Sequence, residues 1–223
     1  MEHRTTILMT EFVTHDVKRF IVRKPETFSF TPGQGVELGI DEEEWRQEGR
    51  PFTPTSLTSD KVLEFTIKRY PDHKSVTDKL HSLKAGDNLL MSEPFGTISY
   101  KGPGVFIGAG AGITPFLAIF RQLAVDGAID QQSLIFSNKT PADVICEKEL
   151  RFYFGSRGRF ICTRESGPGY DMGRIDRNYL AKNLADVGHY AYVCGPDKFV
   201  EEVTAIVRDL GFGAESVVFE EEE

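Results

Sequence analysis

"GAGAGITPF", Gly108–Phe116, follows the apolar run "GVFI" near the middle of a 223-residue chain. Five small residues in a row and then a Thr-Pro pair read as a tight turn from a strand into a helix. Everything after it repeats that grammar. "SLIFSN" leads into "TPADVICEKELRFYF", and "RFICTRE" leads into a helix near "DRNYLAKNLA". "HYAYVCG" leads into "PDKFVEEVTAIVRDLG", and "ESVVFE" closes the series. Three of these helices open on a cap followed by proline: Thr114–Pro115, Thr140–Pro141 and Gly195–Pro196. Repeated strand–helix units predict a parallel sheet covered on both faces.

Before the turn the grammar is different. "VKRFIVRK", "GVELGI", "VLEFTIKRY" and "DNLLMSEPFG" are short, rich in Val, Ile, Leu and Phe, and separated by turns such as "TPGQG". One helix interrupts them. In "KSVTDKLHSLKAGD", Val76, Leu80 and Leu83 share a face, Ser75 or Thr77 can cap the start, and Gly86 follows the end. Antiparallel strands with one helix predict a small barrel or sandwich. The junction falls at "YKGPG" (Tyr100–Gly104), which predicts a β-barrel domain over 1–101 and an α/β parallel-sheet domain over 102–223.

Composition narrows the class. With 40% hydrophobic and 27% charged residues the chain is an ordinary globular protein. No apolar stretch approaches the ~20 residues that span a bilayer, and "MEHRTTILMTEF" lacks the basic-then-apolar order of a leader. A cytoplasmic location is expected. Cys146, Cys162 and Cys194 are odd in number, far apart and outside any CxxC pair, so reduced thiols and no metal site are expected. A net charge of −8 excludes a sequence-independent nucleic-acid binder. The acidic runs "DEEEWRQE" (Asp41–Glu48) and "EEEE" (Glu220–Glu223) read as a solvated loop and tail.

Two stretches carry chemistry. Ligands of parallel sheets bind beyond the carboxyl ends of the strands. There Gly108, Gly110 and Gly112 let a pyrophosphate approach, and helix amides from Thr114 onward face it. The pattern is not GxGxxG, because Ile113 takes the sixth position, and the second strand ends in "SNK" rather than an acid. A glycine turn serving only close packing is the competing reading. In "RPFTPTS" (Arg50–Ser56), period-2 alternation puts Arg50 and Phe52 on one face and Thr53 on the other, unless the prolines twist the chain. An Arg beside a stacking ring suits an anionic, planar ligand; a core Phe beside a surface Arg is the alternative. The start of the "KSVT" helix offers a second phosphate site.

In order, these motifs are an Arg–x–aromatic–Thr strand, "IKRY", a helix opening with Thr, "EPFG", the glycine loop with Thr-Pro, and "CGP". That order resembles the ferredoxin–NADP reductase superfamily, from the compact bacterial flavodoxin/ferredoxin reductases to oxygenase reductase modules and cytochrome b5 reductase. The resemblance implies an FAD-binding barrel followed by a domain for NAD(P)H, with hydride passing to flavin N5. It implies Arg50 on flavin phosphate, Pro51 and Phe52 against the ring (Phe in place of the usual Tyr), and Thr53 near N5, with Ile67 and Lys68 of "IKRY" alongside. Lys74, Ser75, Val76 and Thr77 stand where the family has G-x-x-S/T, with Lys74 in place of Gly. Gly108, Gly110, Gly112, Thr114 and Pro115 match the nicotinamide-dinucleotide loop. Cys194, Gly195 and Pro196 match C-G-P, whose Cys lies near the hydride. Thr53 and Cys194 are thus the expected catalytic pair, and none of the five histidines is needed.

Lys139 and Arg164, after the second and third strands, are placed to hold a 2′-phosphate, with a solvated loop-end charge as the alternative for either; NADPH is slightly favoured over NADH. A monomer is expected, and its partner is a separate one-electron carrier, ferredoxin or flavodoxin. Arg69, Lys74, Lys79 and Lys84 are the candidate docking patch, with solvated charges as the alternative, the better one for Lys79 and Lys84. A free-flavin or ferric reductase, and a non-catalytic nucleotide sensor of the same fold, are the alternatives. Cys146, on a helix, and Cys162, on a strand, are expected as packing residues, and His73 and His81 as surface residues. Phe219 either covers the flavin or closes the last strand.

Overall fold

A computed structural model describes residues 2–71, 75–96, 98–165, 167–184 and 188–220. Six strands make the first sheet: β1 (His3–Phe12), β2 (Val17–Arg23), β3 (Val36–Ile40), β4 (Arg50–Phe52), β5 (Val62–Lys68) and β6 (Asn88–Met91). They run antiparallel in the order β4-β3-β6-β1-β2-β5. A bridge between Pro54 and Phe65 brings the two edges together, giving a nearly closed barrel. Strand alternation sorts β5 cleanly. Leu63, Phe65 and Ile67 enter the barrel core with Phe20, Leu38 and Leu89, while Glu64 and Thr66 face outward. α1 (Val76–Ser82) plugs that core with Val76 and Leu80, and Ser75 rather than Thr77 is its cap, accepting from the Asp78 amide at 3.3 Å. β1 stands outside the strands read from the sequence. Its register shifts between Ile7 and Met9 and leaves Leu8, Met9 and Phe12 exposed, so its apolar residues do not alternate.

The second sheet is built from β7 (Gly104–Ala109), β8 (Ser133–Asn138), β9 (Gly158–Cys162), β10 (Asp171–Met172), β11 (Tyr190–Cys194) and β12 (Val217–Phe219). All of its pairs are parallel, in the order β10-β9-β8-β7-β11-β12. Helices α2 (Thr114–Val125), α3 (Glu147–Phe154), α4 (Arg177–Asn183) and α5 (Asp197–Asp209) connect the strands. β7 is central and apolar on both sides, as a doubly covered strand must be. Phe106 stacks on Tyr192 at 4.3 Å and meets Phe116 and Phe120 edge-on; Val105 and Ile107 pack on the other face with Ile135, Val193 and Val203. The Tyr192 hydroxyl also holds the junction between the sheets. It accepts from the Lys101 and Gly102 amides and donates to the Gly102 carbonyl. Val17 and Ile98 from the barrel side join the cluster around Phe116 and Ile119, so the two halves share buried apolar contact.

Three helix starts differ from the sequence expectation. The run expected to open at Thr114 opens at Gly110, because Gly110–Ile113 already form a 3₁₀ turn; Thr114 is helical and its amide donates to the Ala111 carbonyl. "TPADVICEKELRFYF" is not one helix. Thr140 caps a short 3₁₀ turn, Pro141–Asp143, and α3 begins only after Cys146, which sits in the left-handed region at φ +52°. Cys146 therefore precedes a helix rather than lying on one. Pro196, rather than Gly195, occupies the cap of α5. Among the described residues no helix is long and apolar enough to cross a membrane.

Candidate active site

The barrel and the parallel sheet meet at a cleft of about 200 Å³. Its barrel wall is Pro51, Phe52 and Thr53 at the end of β4, with Thr66, Ile67 and Lys68 at the end of β5. The opposite wall is Ala111, Thr114 and Pro115 at the start of α2, Cys194 at the end of β11, and Glu220 beyond β12. Phe52 and Thr53, on opposite faces only if alternation carried through the prolines, both line the cleft. β4 ends at Phe52 and the chain turns through Pro54 to bridge Phe65, which breaks the alternation. Cys194 is 8% exposed. Burial pushes its thiol up to about 12, with the Glu220 carboxylate adding to the rise, so the sulfur stays protonated. That is a small polarizable wall, not a nucleophile.

The glycines of the loop have different jobs. A Cβ on Gly112 would lie 2.3 Å from the Cys194 carbonyl oxygen, so this glycine lets α2 pack against β11. Gly110 has φ +53° and open space where a Cβ would point. It satisfies the left-handed turn and leaves the backbone bare to a ligand. Gly108 would meet Ile113 and Phe136 at ordinary contact distance, 3.6 Å. Thr114 turns its hydroxyl back to the Ala111 carbonyl at 2.9 Å.

A larger groove of about 540 Å³ continues from this loop across the carboxyl ends of β8 and β9. Lys68 and Tyr70 border both cavities. Gly195 and Pro196 line the groove, as do Asn138, Lys139, Asp143 and Thr163. The Lys68 ammonium is paired to Asp16 at 2.9 Å. The Asp143 carboxylate accepts from the Thr140 amide at 2.8 Å and from its hydroxyl at 2.7 Å. The Asn138 amide is buried with neither its nitrogen nor its oxygen hydrogen-bonded among the described residues. A slot opening onto a longer groove, along which Asn138, Lys139, Asp143 and Thr163 set polar groups among apolar lining, suits an extended ligand that carries a flat ring at one end.

Other expected site residues lie elsewhere. Arg50 is not among the residues lining either cavity; its guanidinium donates to the Gly49 carbonyl at 2.7 Å and lies near Glu48. Ser75 and Thr77 bond to the Tyr70 backbone, and Val76 is buried in the barrel core. Lys74 and His73 lie outside the described residues. The Arg164 amide donates to the Lys139 carbonyl, but Arg164 does not line the groove. Of the basic patch, Arg69 is paired to Asp78 and Lys79 to Glu42. His81, expected at the surface, bonds the Ile67 carbonyl at 2.8 Å and packs on Phe12 and Phe20. Burial lowers its imidazole below the usual range. Phe219 packs with the sheet core under Arg208, closing the last strand. Asp41, read as loop solvent, is held by Arg4 and Arg46, and Trp45 packs on the barrel core. Sequence reading missed Glu220, Thr66, Asn138 and Asp143, and gave Tyr70 no role beyond its place in "IKRY". Glu220 was hidden in an acidic tail; Thr66 and Asn138 adjoin the expected Ile67 and Lys139 but carry no motif of their own, and Asp143 reaches the groove through the turn Pro141–Asp143.

Two family models match the chain. "Oxidoreductase FAD-binding domain" covers residues 4–100, and "Oxidoreductase NAD-binding domain" covers 106–205. The reductase component of a naphthalene 1,2-dioxygenase system, ferredoxin–NAD(P)(+), from Pseudomonas putida is 26% identical over 221 residues. The match takes in 95% of this chain and 66% of that protein, so the chain spans just under two thirds of that relative's length. NADH-cytochrome b5 reductase 2-A of Vanderwaltozyma polyspora is 29% identical, over 93% of this chain and 80% of its own. Among solved structures, a ferredoxin NADP+ reductase from Neisseria gonorrhoeae with bound FAD and NADP superposes with a TM-score of 0.84 at 21% identity, covering 98% of this chain and 97% of that one. At that identity the likeness speaks for the fold.

Proposed function

We propose, because the chain belongs to the ferredoxin reductase-like superfamily of FAD- and NAD-binding oxidoreductases, that it is an NAD(P)H-dependent flavoprotein reductase serving a separate one-electron carrier. One observation carries this reading. Phe52 and Thr53 of the barrel share a single cleft with Thr114 and Cys194 of the parallel sheet, where two flat rings could be brought face to face. FAD fits the residues present. The barrel wall offers an apolar and aromatic surface with buried hydroxyls, and the bare backbone at Gly110 offers an approach for a phosphate-bearing partner. FAD, when bound, supplies the change from two-electron to one-electron transfer.

The chain's own residues do the rest. Pro51 and Phe52 would hold one face of the ring, and Thr53 would offer its hydroxyl to the ring edge. Arg50, Ser75 and Thr77, which lie outside the two cavities, would take the phosphates only by exchanging their present partners at Gly49 and Tyr70. Thr114 and the protonated Cys194 would close the opposite side and keep water out. The units 1–101 and 102–223 would each bring one cofactor to the shared cleft.

For the coenzyme we favour NADH over NADPH, against the sequence expectation. A 2′-phosphate needs fixed cations. Only Lys139 of the two expected cations lines the groove, Lys68 is already paired, and Asp143 places a carboxylate there. The acceptor we propose is a ferredoxin-like carrier, as the name of the Pseudomonas relative states for its own partner.

The test is the visible spectrum of the purified protein under nitrogen as NADH and then NADPH are added. Flavin bands that bleach rapidly, faster with NADH, are expected. A protein that takes up neither FAD nor FMN when incubated with excess of each would overturn the reading.

A further inference from the structure

Arg121 lies on α2, seven residues after Thr114, with its side chain 15% exposed. Its guanidinium works in two directions. Toward its own domain it grips Glu149 of α3 bidentately, Nε to Oε1 at 2.7 Å and a terminal nitrogen to Oε2 at 2.9 Å. Toward the barrel its other terminal nitrogen donates to the Thr55 carbonyl and to Glu64 Oε1, both at 2.6 Å. Thr55 and Glu64 are already tied together: the Thr55 amide donates to the Glu64 carbonyl, and the Thr55 hydroxyl donates to Oε1 at 2.7 Å. Arg19 of β2 approaches the same carboxylate at 3.4 Å.

The placement of these partners matters more than their number. Thr55 is two residues beyond Thr53, Glu64 is two before Thr66, and Arg121 is two helical turns beyond Thr114. All three elements end in the walls of the cleft. The apolar contacts of Val17 and Ile98 with the helix hold the halves together but are non-directional. A planar guanidinium with fixed donors sets distance and angle. A hydrophobic set of the same volume would often be as stable as a buried ion network, so stability alone does not call for one here.

We propose that Arg121 is a positioning residue. By clamping Thr55 and Glu64 from α2, it sets the separation between the wall carrying Phe52 and Thr53 and the wall carrying Thr114 and Cys194. This rests on the reductase reading above for its kinetic consequence, since misplacing reacting groups by about 1 Å can cost on the order of 100-fold in rate.

The experiment compares Glu64→Gln, which weakens the cross-domain half of the clamp, with Glu149→Gln, which weakens the half inside one domain. Arg121→Lys keeps the charge but loses the fork. Each is prepared with its flavin and mixed anaerobically with the coenzyme that bleaches the unsubstituted protein. Glu64→Gln and Arg121→Lys are expected to lower the limiting rate of bleaching by about 10-fold or more, while flavin affinity and half-saturating coenzyme change by less than about 2-fold. Glu149→Gln is expected to keep the rate within about 2-fold. Amide hydrogen exchange on the flavin-free proteins supplies a second readout. Residues 53–56 and 114–118 should exchange faster in Glu64→Gln than in Glu149→Gln. Equal losses of rate in the two glutamine variants, or an unchanged rate in Glu64→Gln, would overturn the proposal. If the unsubstituted protein binds flavin but neither coenzyme bleaches it, the reductase reading fails. The exchange comparison then decides the clamp by itself, and equal exchange in the two variants sinks it.

Discussion

Cys194 shows how much a residue's meaning depends on its surroundings. The triplet "CGP" and the strand end were readable from the sequence; the state of the thiol was not. Burial at the end of β11, with Glu220 beside it, raises the thiol to about 12. At pH 8 the thiolate fraction is then on the order of one in ten thousand. Cys146 and Cys162 are also buried, and burial raises both. The folded protein should therefore show no rapid reaction with a thiol-titrating disulfide reagent at pH 8. Unfolding in denaturant should release all three thiols. A fast-reacting thiol in the native protein would mean that the cleft opens far more than its burial allows. Glu220 makes the converse point. It is one of four consecutive glutamates, and only the strand order brings this one beside Cys194.

At the scale of the element, the loop Gly108–Ile113 separates ligand access from packing. Gly110→Ala would place a Cβ in open space at φ +53°, costing the fold about 1 kcal/mol for a left-handed residue. On the proposed reading, the methyl group would stand where the dinucleotide approaches. Half-saturating coenzyme should rise several-fold with a small change in the urea midpoint. Gly112→Ala would drive a Cβ to 2.3 Å from the Cys194 carbonyl, so strand and helix must separate. Its cost falls on the fold, at about 2–3 kcal/mol. If both variants behaved alike in the urea titration, this division of labour would be wrong. Composition alone could not have separated the two, since Gly110 and Gly112 belong to one run of alternating Gly and Ala. The same limit explains the misread helix starts. A Thr-Pro pair marks the entry to a helical run, but a preceding 3₁₀ turn is invisible when three of its four residues are Gly or Ala. The break at Cys146 is a left-handed residue that its side chain gives no reason to expect.

At the scale of the whole molecule, the two architectures were legible because each has its own periodicity: short strands with Gly and Pro turns first, strand–helix alternation afterwards. β1 escaped because a register shift scrambles its alternation, and β10 because two residues carry no period. What joins the halves was illegible for a different reason. Arg121, Glu64 and Glu149 are scattered charges in sequence, and only the packed fold makes them a network. That network has a pH signature of its own. Burial works against the Glu64 carboxylate, but Arg121, the Thr55 hydroxyl and Arg19 outweigh it and hold the group below its usual range. A carboxyl lowered in the folded state adds stability above the unfolded value, about 4.3, and that stability is lost as pH falls through the folded value. Glu64→Gln should therefore be less stable than the unsubstituted chain by about 2 kcal/mol at pH 7, below the roughly 3–5 kcal/mol of a fully orphaned buried charge because Glu149 still pairs Arg121. Urea midpoints measured at intervals from pH 7 down to about 3 should show that gap constant at first and closing on the acid side, because protonation removes from the unsubstituted chain what the substitution has already removed. A gap of the same size at the acid end would place the acid sensitivity in other carboxylates, such as Asp16 or Asp41, which cations also hold below their usual range.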